Sequence, residues 1–302
     1  MLAYRHTVFL HVAENLSFSK AAEQLFISQP AVSKHIQLLE SQYHLSLFDR
    51  GGSSIELTQA GRVLLNYLTK AREIQRDLQF EMGQLEEASS SKGDLILGAS
   101  TTVALYMVPE VLSGFSKQYP NLKIRLVNRN SQNILKALES HEIDLGIVEA
   151  RGKKRTIRYE PFISDQVVAV CSTTSPLASK THYSLEELVN LPVALREQGS
   201  GTLVALQSTL NTYGINLKEL KVVIRLGGTE ALKNFVLADE CLGFLPYRSV
   251  VKEIRRGDLV LLEIGDLSIS RQFYFIQRQG NSSDPLNMAF IRFAKLHHNN
   301  LL

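Results

Sequence analysis

The chain has no tryptophan and only two cysteines in 302 residues, Cys171 and Cys241. Two isolated cysteines cannot form a disulfide framework, so core packing must hold the fold, and a reducing cytoplasm is the expected compartment. No apolar run approaches the ~20 residues that a membrane-spanning helix needs. The first sixteen residues carry Arg5, His6, His11 and Glu14 without a small-residue cleavage site, which argues against a secretory signal. Charge of one sign is scarce: 33 basic against 30 acidic residues leave +3, which permits a nucleic-acid partner without demanding one. His297-His298 has no partner at metal-ligand spacing, so no metal site is expected. Gly199-Ser200-Gly201 lacks the spacing of a hydrolase elbow, and no P-loop or dinucleotide fingerprint is present. No cofactor and no catalytic residue is assigned.

What is there is ordinary globular material, 44% hydrophobic and 21% charged, long enough for two or three domains. Residues 1–58 read as short helices and a hairpin: an amphipathic segment at 7–14, a helix from Lys20 to Leu25 capped by Ser19, and a helix capped by Ser28 that runs to about Tyr43. Two short extended pieces, 45–48 and 54–57, flank a turn at 49–54. A long helix follows over 59–88. Its residues Leu64, Leu68, Ala71, Gln75, Leu78, Met82 and Leu85 alternate at spacings of four and three, a coiled-coil seam that calls for a second chain. Ala88 to Gly93 is a linker. Beyond it strands alternate with helices, among them a helix over 103–119, which predicts α/β layers with largely parallel sheets in two sets.

The helix from Gln29 to Tyr43 carries the functional signal. At ~100° per residue Val32, Ile36, Leu39 and Tyr43 share one stripe, whereas Pro30, Ser33, Lys34 and Gln37 share the opposite one. A short polar stripe on a packed helix suits a major groove, where Gln pairs with adenine edges and Lys reaches guanine or phosphate. With the preceding helix and the turn at 26–28 it forms a helix-turn-helix, with Arg50 at the hairpin tip against phosphate. The bland alternative is a solvated face on a small helical domain. Residues 1–72 hold seven basic against five acidic side chains, so one head alone would bind DNA weakly and several copies on one site are needed.

Ala21-Ala22-Glu23-Gln24-Leu25, Ser28-Gln29-Pro30-Ala31-Val32-Ser33-Lys34-His35-Ile36, Leu47-Phe48-Asp49-Arg50 and Leu57-Thr58-Gln59-Ala60-Gly61 together resemble the N-terminal signature of LysR-type transcriptional regulators. Later pieces agree, including Ile143-Asp144-Leu145-Gly146-Ile147 and Gly243-Phe244-Leu245-Pro246. The resemblance implies a winged helix-turn-helix over 1–58, a dimerising helix over 59–88, a hinge at 89–93 and an effector domain over 94–302. That domain is expected to hold two Rossmann-like α/β subdomains similar to periplasmic solute-binding proteins, about 94–163 with 269–302, and 164–268. Double-stranded promoter DNA, read by Ser28, Gln29, Pro30, Ser33, Lys34, Gln37 and Arg50, a second or fourth copy of the chain, and RNA polymerase are the implied macromolecular partners. The wing departs from the family in lacking further basic residues at Gly51-Gly52-Ser53-Ser54.

Ser100-Thr101-Thr102, Gly199-Ser200-Gly201-Thr202 and Thr229 each stand where a helix begins after a strand or loop, a setting in which free amides and the helix dipole attract an anion. With Arg196 and Glu149 they make up the expected site for a small, anionic effector between the two subdomains. The alternative is that Thr102, Thr202 and Thr229 merely cap their helices. Both cysteines read as inert filler, although the resembled family includes a peroxide-sensing branch. The rivals to a regulator are a solute-binding protein or an enzyme on that fold with an unrelated helical N-terminus, or a scaffold that uses the long helix only to dimerise.

Overall fold

The computed structural model describes residues 2–49, 55–86, 91–149, 152, 154–279 and 284–299, and the chain divides into two units at Glu86/Glu87. The first unit opens with α1 (Tyr4–Asn15), α2 (Phe18–Leu25) and α3 (Gln29–Tyr43). The cap of α2 is Ser17, whose hydroxyl accepts from the Lys20 amide at 3.2 Å, and not Ser19 as the sequence suggested. The helix starts two residues early because Phe18 is drawn into the core, where its ring meets Phe48 at 5.7 Å. Ser28 caps α3 as expected, and Val32, Ile36 and Leu39 are fully buried. Tyr43, the last member of the expected stripe, is exposed. By then the helix has passed the edge of the small core.

A two-residue hairpin, β1 (Phe48–Asp49) and β2 (Glu56–Leu57), leads to α4 (Gln59–Glu86). Thr58 fixes this junction: its hydroxyl donates to the Ser46 carbonyl at 2.6 Å and accepts from the Gly61 amide at 3.0 Å. Gly61 lies directly on the Leu47 carbonyl, where no side chain fits. The seam predicted along α4 divides in two. Leu64 and Leu68 pack into the head's own core, and the Gln75 side chain accepts from the Leu2 amide. Val63, Tyr67, Ile74, Leu78, Met82 and Leu85 are the exposed apolar residues of the helix.

The second unit begins with β3 (Gly93–Ser100), α5 (Thr101–Tyr106), α6 (Val108–Gln118), β4 (Leu122–Arg129), α7 (Ser131–Glu139) and β5 (Leu145–Glu149). The single helix expected over 103–119 breaks at Met107 (φ −129°, ψ −55°), because Pro109 has no amide to continue the ladder. There follow β6 (Ile157–Ser172), β7 (His182–Tyr183), α8 (Leu185–Leu188), β8 (Val193–Arg196), α9 (Gly201–Thr212), β9 (Val222–Leu226) and α10 (Thr229–Ala238). The chain continues through β10 (Leu242–Pro246), α11 (Tyr247–Arg256), β11 (Leu259–Ile264), β12 (Ile269–Arg278) and α12 (Pro285–Asn299). The sequence reading missed β7, β8, β10, β11 and α11. β10 is a five-residue run buried at every position, so it has no alternation to betray it.

The sheet runs β4-β3-β5-β12-β6-β10-β8-β9, parallel within β4-β3-β5 and within β10-β8-β9. The strands β6 and β12 are antiparallel crossovers: 157–161 pair with 274–278 and 164–167 with 269–272. Largely parallel sheets are therefore confined to the two ends. α7 buries Ile134, Ala137 and Leu138 against Ile143, Val148 and Ile276, whereas Leu203, Leu206 and Leu210 of α9 pack on Val193, Leu195 and Phe244. Helix starts thus collect at strand carboxyl ends beside the crossover strands, the usual position of ligand sites in such sheets.

Candidate functional site

In the first unit α3 is anchored by Val32, Ile36 and Leu39, and Glu40 ties its far end to the hairpin by accepting from the Leu47 amide at 2.8 Å. The opposite face presents Ser28, Gln29, Pro30, Lys34 and Gln37 exposed, with Ser33 half-buried. Gln29 Nε2 donates to Ser33 Oγ at 3.1 Å, so one turn of this face is set in advance. Arg50 lies outside the described residues. Arg62 and Arg72 are engaged at home, with the Leu57 carbonyl at 2.5 Å and Glu14 at 2.8 Å, which leaves Lys34 as the cation on the α3 face.

In the second unit the expected effector residues fall into three groups. Glu149, Gly201 and Thr202 come together: a Cβ on Gly201 would meet the Glu149 carboxylate at 2.5 Å, so α9 begins against that side chain. Arg271, which the sequence reading did not select, donates to Glu149 at 3.2 Å and to Thr202 Oγ1 at 2.8 Å. It also grips Asp165 through Nε at 3.0 Å and Nη2 at 2.6 Å, while Ser131 donates to the other Glu149 oxygen. Thr202 therefore does not cap its helix; its hydroxyl is an acceptor in a buried charge network. Arg271, Asp165 and Glu149 are each at most 7% exposed, and together they carry one excess negative charge.

Arg196 and Thr229 form the second group. The Arg196 fork is spent on Glu197, at 2.8 and 3.1 Å, and on Thr229 Oγ1 at 2.7 Å. Burial works against the Glu197 charge, but Arg196 holds its carboxyl below the usual range. The cation expected to meet an anion is thus already neutralised by the next residue in the chain, and Thr229 supports it rather than a ligand. Gly199, in the left-handed region at φ +84°, offers its carbonyl to the Gln132 amide at 3.2 Å, and Asn130 reaches the Gln198 carbonyl at 3.4 Å. Ser200 stands before α9 without capping it.

Ser100 and Thr102 form the third group, at the carboxyl end of β3 beside β5. Each is 1% exposed, and neither hydroxyl has a hydrogen-bond partner. Capping fails for them as well, since Ser100 makes no cap bond. Thr101 beside them is half-buried. Buried hydroxyls left unpaired are costly, by about 1–3 kcal/mol each, unless a ligand or water meets them.

Alternation could have exposed the charges that were missed. Asp165 stands in phase with Ile163 and Val167, and Arg271 with Ile269 and Phe273, so both fall on the buried side of their strands. No signal in the sequence joins the two, which lie 106 residues apart.

The cysteines stand apart from this network. Burial pushes the Cys171 thiol up to about 11, and burial together with the Asp239 carboxylate pushes Cys241 up to about 12. A thiol-reactive disulfide reagent at pH 8 is therefore expected to titrate neither in the folded protein and both in denaturant; fast native labelling would contradict this. Because folding keeps both thiols protonated to higher pH, they leave stability unchanged below their ordinary value of 9.0 and lower it as pH rises from there towards 11.

Comparison with known proteins matches two family profiles: "Bacterial regulatory helix-turn-helix protein, lysR family" over residues 5–62, and "LysR substrate binding domain" over residues 88–298. The HTH-type transcriptional activator CmpR of a Synechocystis strain is 29% identical over 97% of this chain and 95% of its own length. Full-length CbnR, solved with its target DNA, superposes with TM-score 0.64 at 19% identity, covering 98% of this chain and 99% of that one. The CcmR regulatory domain of Synechocystis PCC6803, solved with 2-PG, gives TM-score 0.62 at 26% identity over 70% of this chain and 99% of its own. The match over 5–62 removes the alternative of an unrelated helical N-terminus.

Proposed function

The chain belongs to the LysR family of bacterial transcriptional regulators, and we propose that it controls a promoter by reading the major groove through α3 and a small effector through its second unit. The family supplies the coarser statement plainly: this is a DNA-binding transcriptional regulator with an effector-binding domain. The finer one rests on a single observation, the polar face of α3, where Gln29 and Ser33 are pre-paired beside exposed Lys34 and Gln37 on a fully anchored helix. Gln37 and Ser33 are the base readers, Lys34 reaches phosphate or guanine, Arg50 reaches backbone phosphate, and Ser28, Gln29 and Pro30 set the approach of the helix N-terminus. The CbnR structure contains target DNA and the CcmR domain contains 2-PG, and both lend support by likeness of fold.

The effector occupies the space between subdomains at about 94–163 with 269–302, and 164–268. The unpaired hydroxyls of Ser100 and Thr102 and the Glu149–Arg271–Thr202 network favour a ligand there. A simple anion finds no unpaired cation in Arg196 or Arg271, so any acidic group on the effector needs another partner. The weak charge of one head and the exposed stripe of α4 favour a dimer or tetramer. RNA polymerase as a partner, the cytoplasm as the compartment and the absence of catalysis complete the reading; no described helix is long and apolar enough to cross a membrane.

The experiment is a pair of titrations. Gln37→Ala or Ser33→Ala is expected to weaken binding to the operator by roughly 1–3 kcal/mol and to leave random DNA almost unchanged. Equal losses on both would show that α3 does not read bases.

A further inference from the structure

Resting on the effector-domain reading, we propose that the second unit binds a zwitterionic effector, an amino acid or a molecule with ammonium and carboxylate at similar spacing, between α5 and α11. A cleft of about 620 Å³ lies there, lined by Tyr106 of α5, by Tyr247, Arg248 and Val251 of α11, and floored by the crossover strands at Asp165 and Ser270. The size suits a small molecule. Its walls follow strands of the two parallel ends of the sheet and its floor comes from the strands that join them, so an occupant touches both ends and the junction.

The charges specify the ligand. Asp165 has both guanidinium bonds from Arg271 on one oxygen, Oδ2. Its other oxygen has Arg248 Nε at 3.6 Å, too long for a hydrogen bond. The Asp165 side chain is 2% exposed and that of Arg248 is 40% exposed, so a deeply buried carboxylate in the cleft lining meets a cation held by one long contact. Because Arg271, Glu149 and Asp165 already carry one excess negative charge, Arg248 is the cation that balances them.

A simple anion that took Arg248 would leave the excess uncompensated, and a simple amine that took Asp165 would face Arg248. A zwitterion inserts into the loose pair with its ammonium on Asp165 and its carboxylate on Arg248, and every charge stays matched. The Tyr106 hydroxyl, buried and without a hydrogen-bond partner, is available to donate to that carboxylate. Its ring is positioned by Lys233, 5.9 Å away, whose ammonium is fixed by Glu253 at 2.9 Å, Glu230 at 3.0 Å and the Ser249 carbonyl at 3.1 Å.

Calorimetric titration of the full chain with the twenty standard amino acids, each hit compared with its des-amino acid and its decarboxylated amine, tests the assignment. At least one amino acid is expected to bind tenfold or more tightly than either stripped analogue. Arg248→Gln is expected to weaken that binding at least tenfold, Arg248→Lys, which keeps the balancing charge, to weaken it less, and Tyr106→Phe to weaken it severalfold. Asp165→Asn is a poorer probe because Asp165 also holds Arg271. An anion or amine bound as tightly as any amino acid, or affinity untouched by Arg248→Gln, overturns the zwitterion and leaves the effector domain standing. A chain indifferent to every amino acid, whose melt is also unmoved by a general metabolite panel, overturns both.

Discussion

Replacing Arg271 with Met is expected to destabilise the second unit by about 3–5 kcal/mol, because the change removes the one cation hydrogen-bonded to both buried carboxylates, Glu149 and Asp165. The magnitude follows from burial. The Arg271 side chain is 2% exposed, as is that of Asp165, and that of Glu149 is 3% exposed, so none recovers its lost partner from water. The guanidinium also stacks over the Phe273 ring at 4.9 Å, a contact that Met keeps only in part. For a unit of this size the loss corresponds to a fall of roughly 6–20 °C in melting temperature. Arg129→Met is the internal control. Arg129 makes two short bonds to Glu142, at 2.7 and 2.6 Å, but both side chains are about 40% exposed, and such pairs contribute about 0–1 kcal/mol. Similar melts for the two variants would show that the Arg271 network is solvated.

The second large effect concerns assembly. Leu78 and Met82 are 58% and 57% exposed on α4, beyond the stretch that packs into the head. The double change Leu78→Asp with Met82→Asp is expected to leave the head folded, since neither residue belongs to its core. Two charges placed where helices from two chains meet should dissociate the oligomer and weaken operator binding by about 10²–10⁴-fold through loss of effective concentration. Leu68, the obvious choice from the heptad pattern, would be uninformative: it is 7% exposed within the head, and Asp there would unfold the DNA-binding unit itself. A dimer that survives the double change in ultracentrifugation contradicts the assignment of α4 as the pairing helix.

The contrast between these positions shows what a sequence carries. The polar face of α3 was legible because a short helix over a small core must obey the 3.6-residue period, and Val32, Ile36 and Leu39 do so. Tyr43 broke the pattern only because the core ends before the helix does. Along α4 only Leu78, Met82 and Leu85 of the expected seam are exposed; Leu64 and Leu68 are taken by the head, and Val63, Tyr67 and Ile74 are exposed in their place. In the second unit the structure brings Glu149, Gly201 and Thr202 together, yet the cation between them comes from β12, far along the chain. Arg196 was misjudged for the opposite reason: its partner, Glu197, is adjacent, and only the fold makes that neighbour bidentate. None of the helix-start residues chosen from the sequence lines the cleft between α5 and α11, whose Asp165 and Arg248 are brought together only in three dimensions.

The most direct test of the central claim is the affinity of the full chain for the DNA upstream of its own gene against a scrambled duplex of equal length and composition, at one fixed physiological salt concentration. A regulator that reads bases through α3 is expected to bind the natural sequence about 10³-fold or more tightly than the scrambled one. Equal affinity for the two duplexes, falling in parallel as salt is raised, would mean that phosphate contacts alone hold the protein to DNA and would contradict the account.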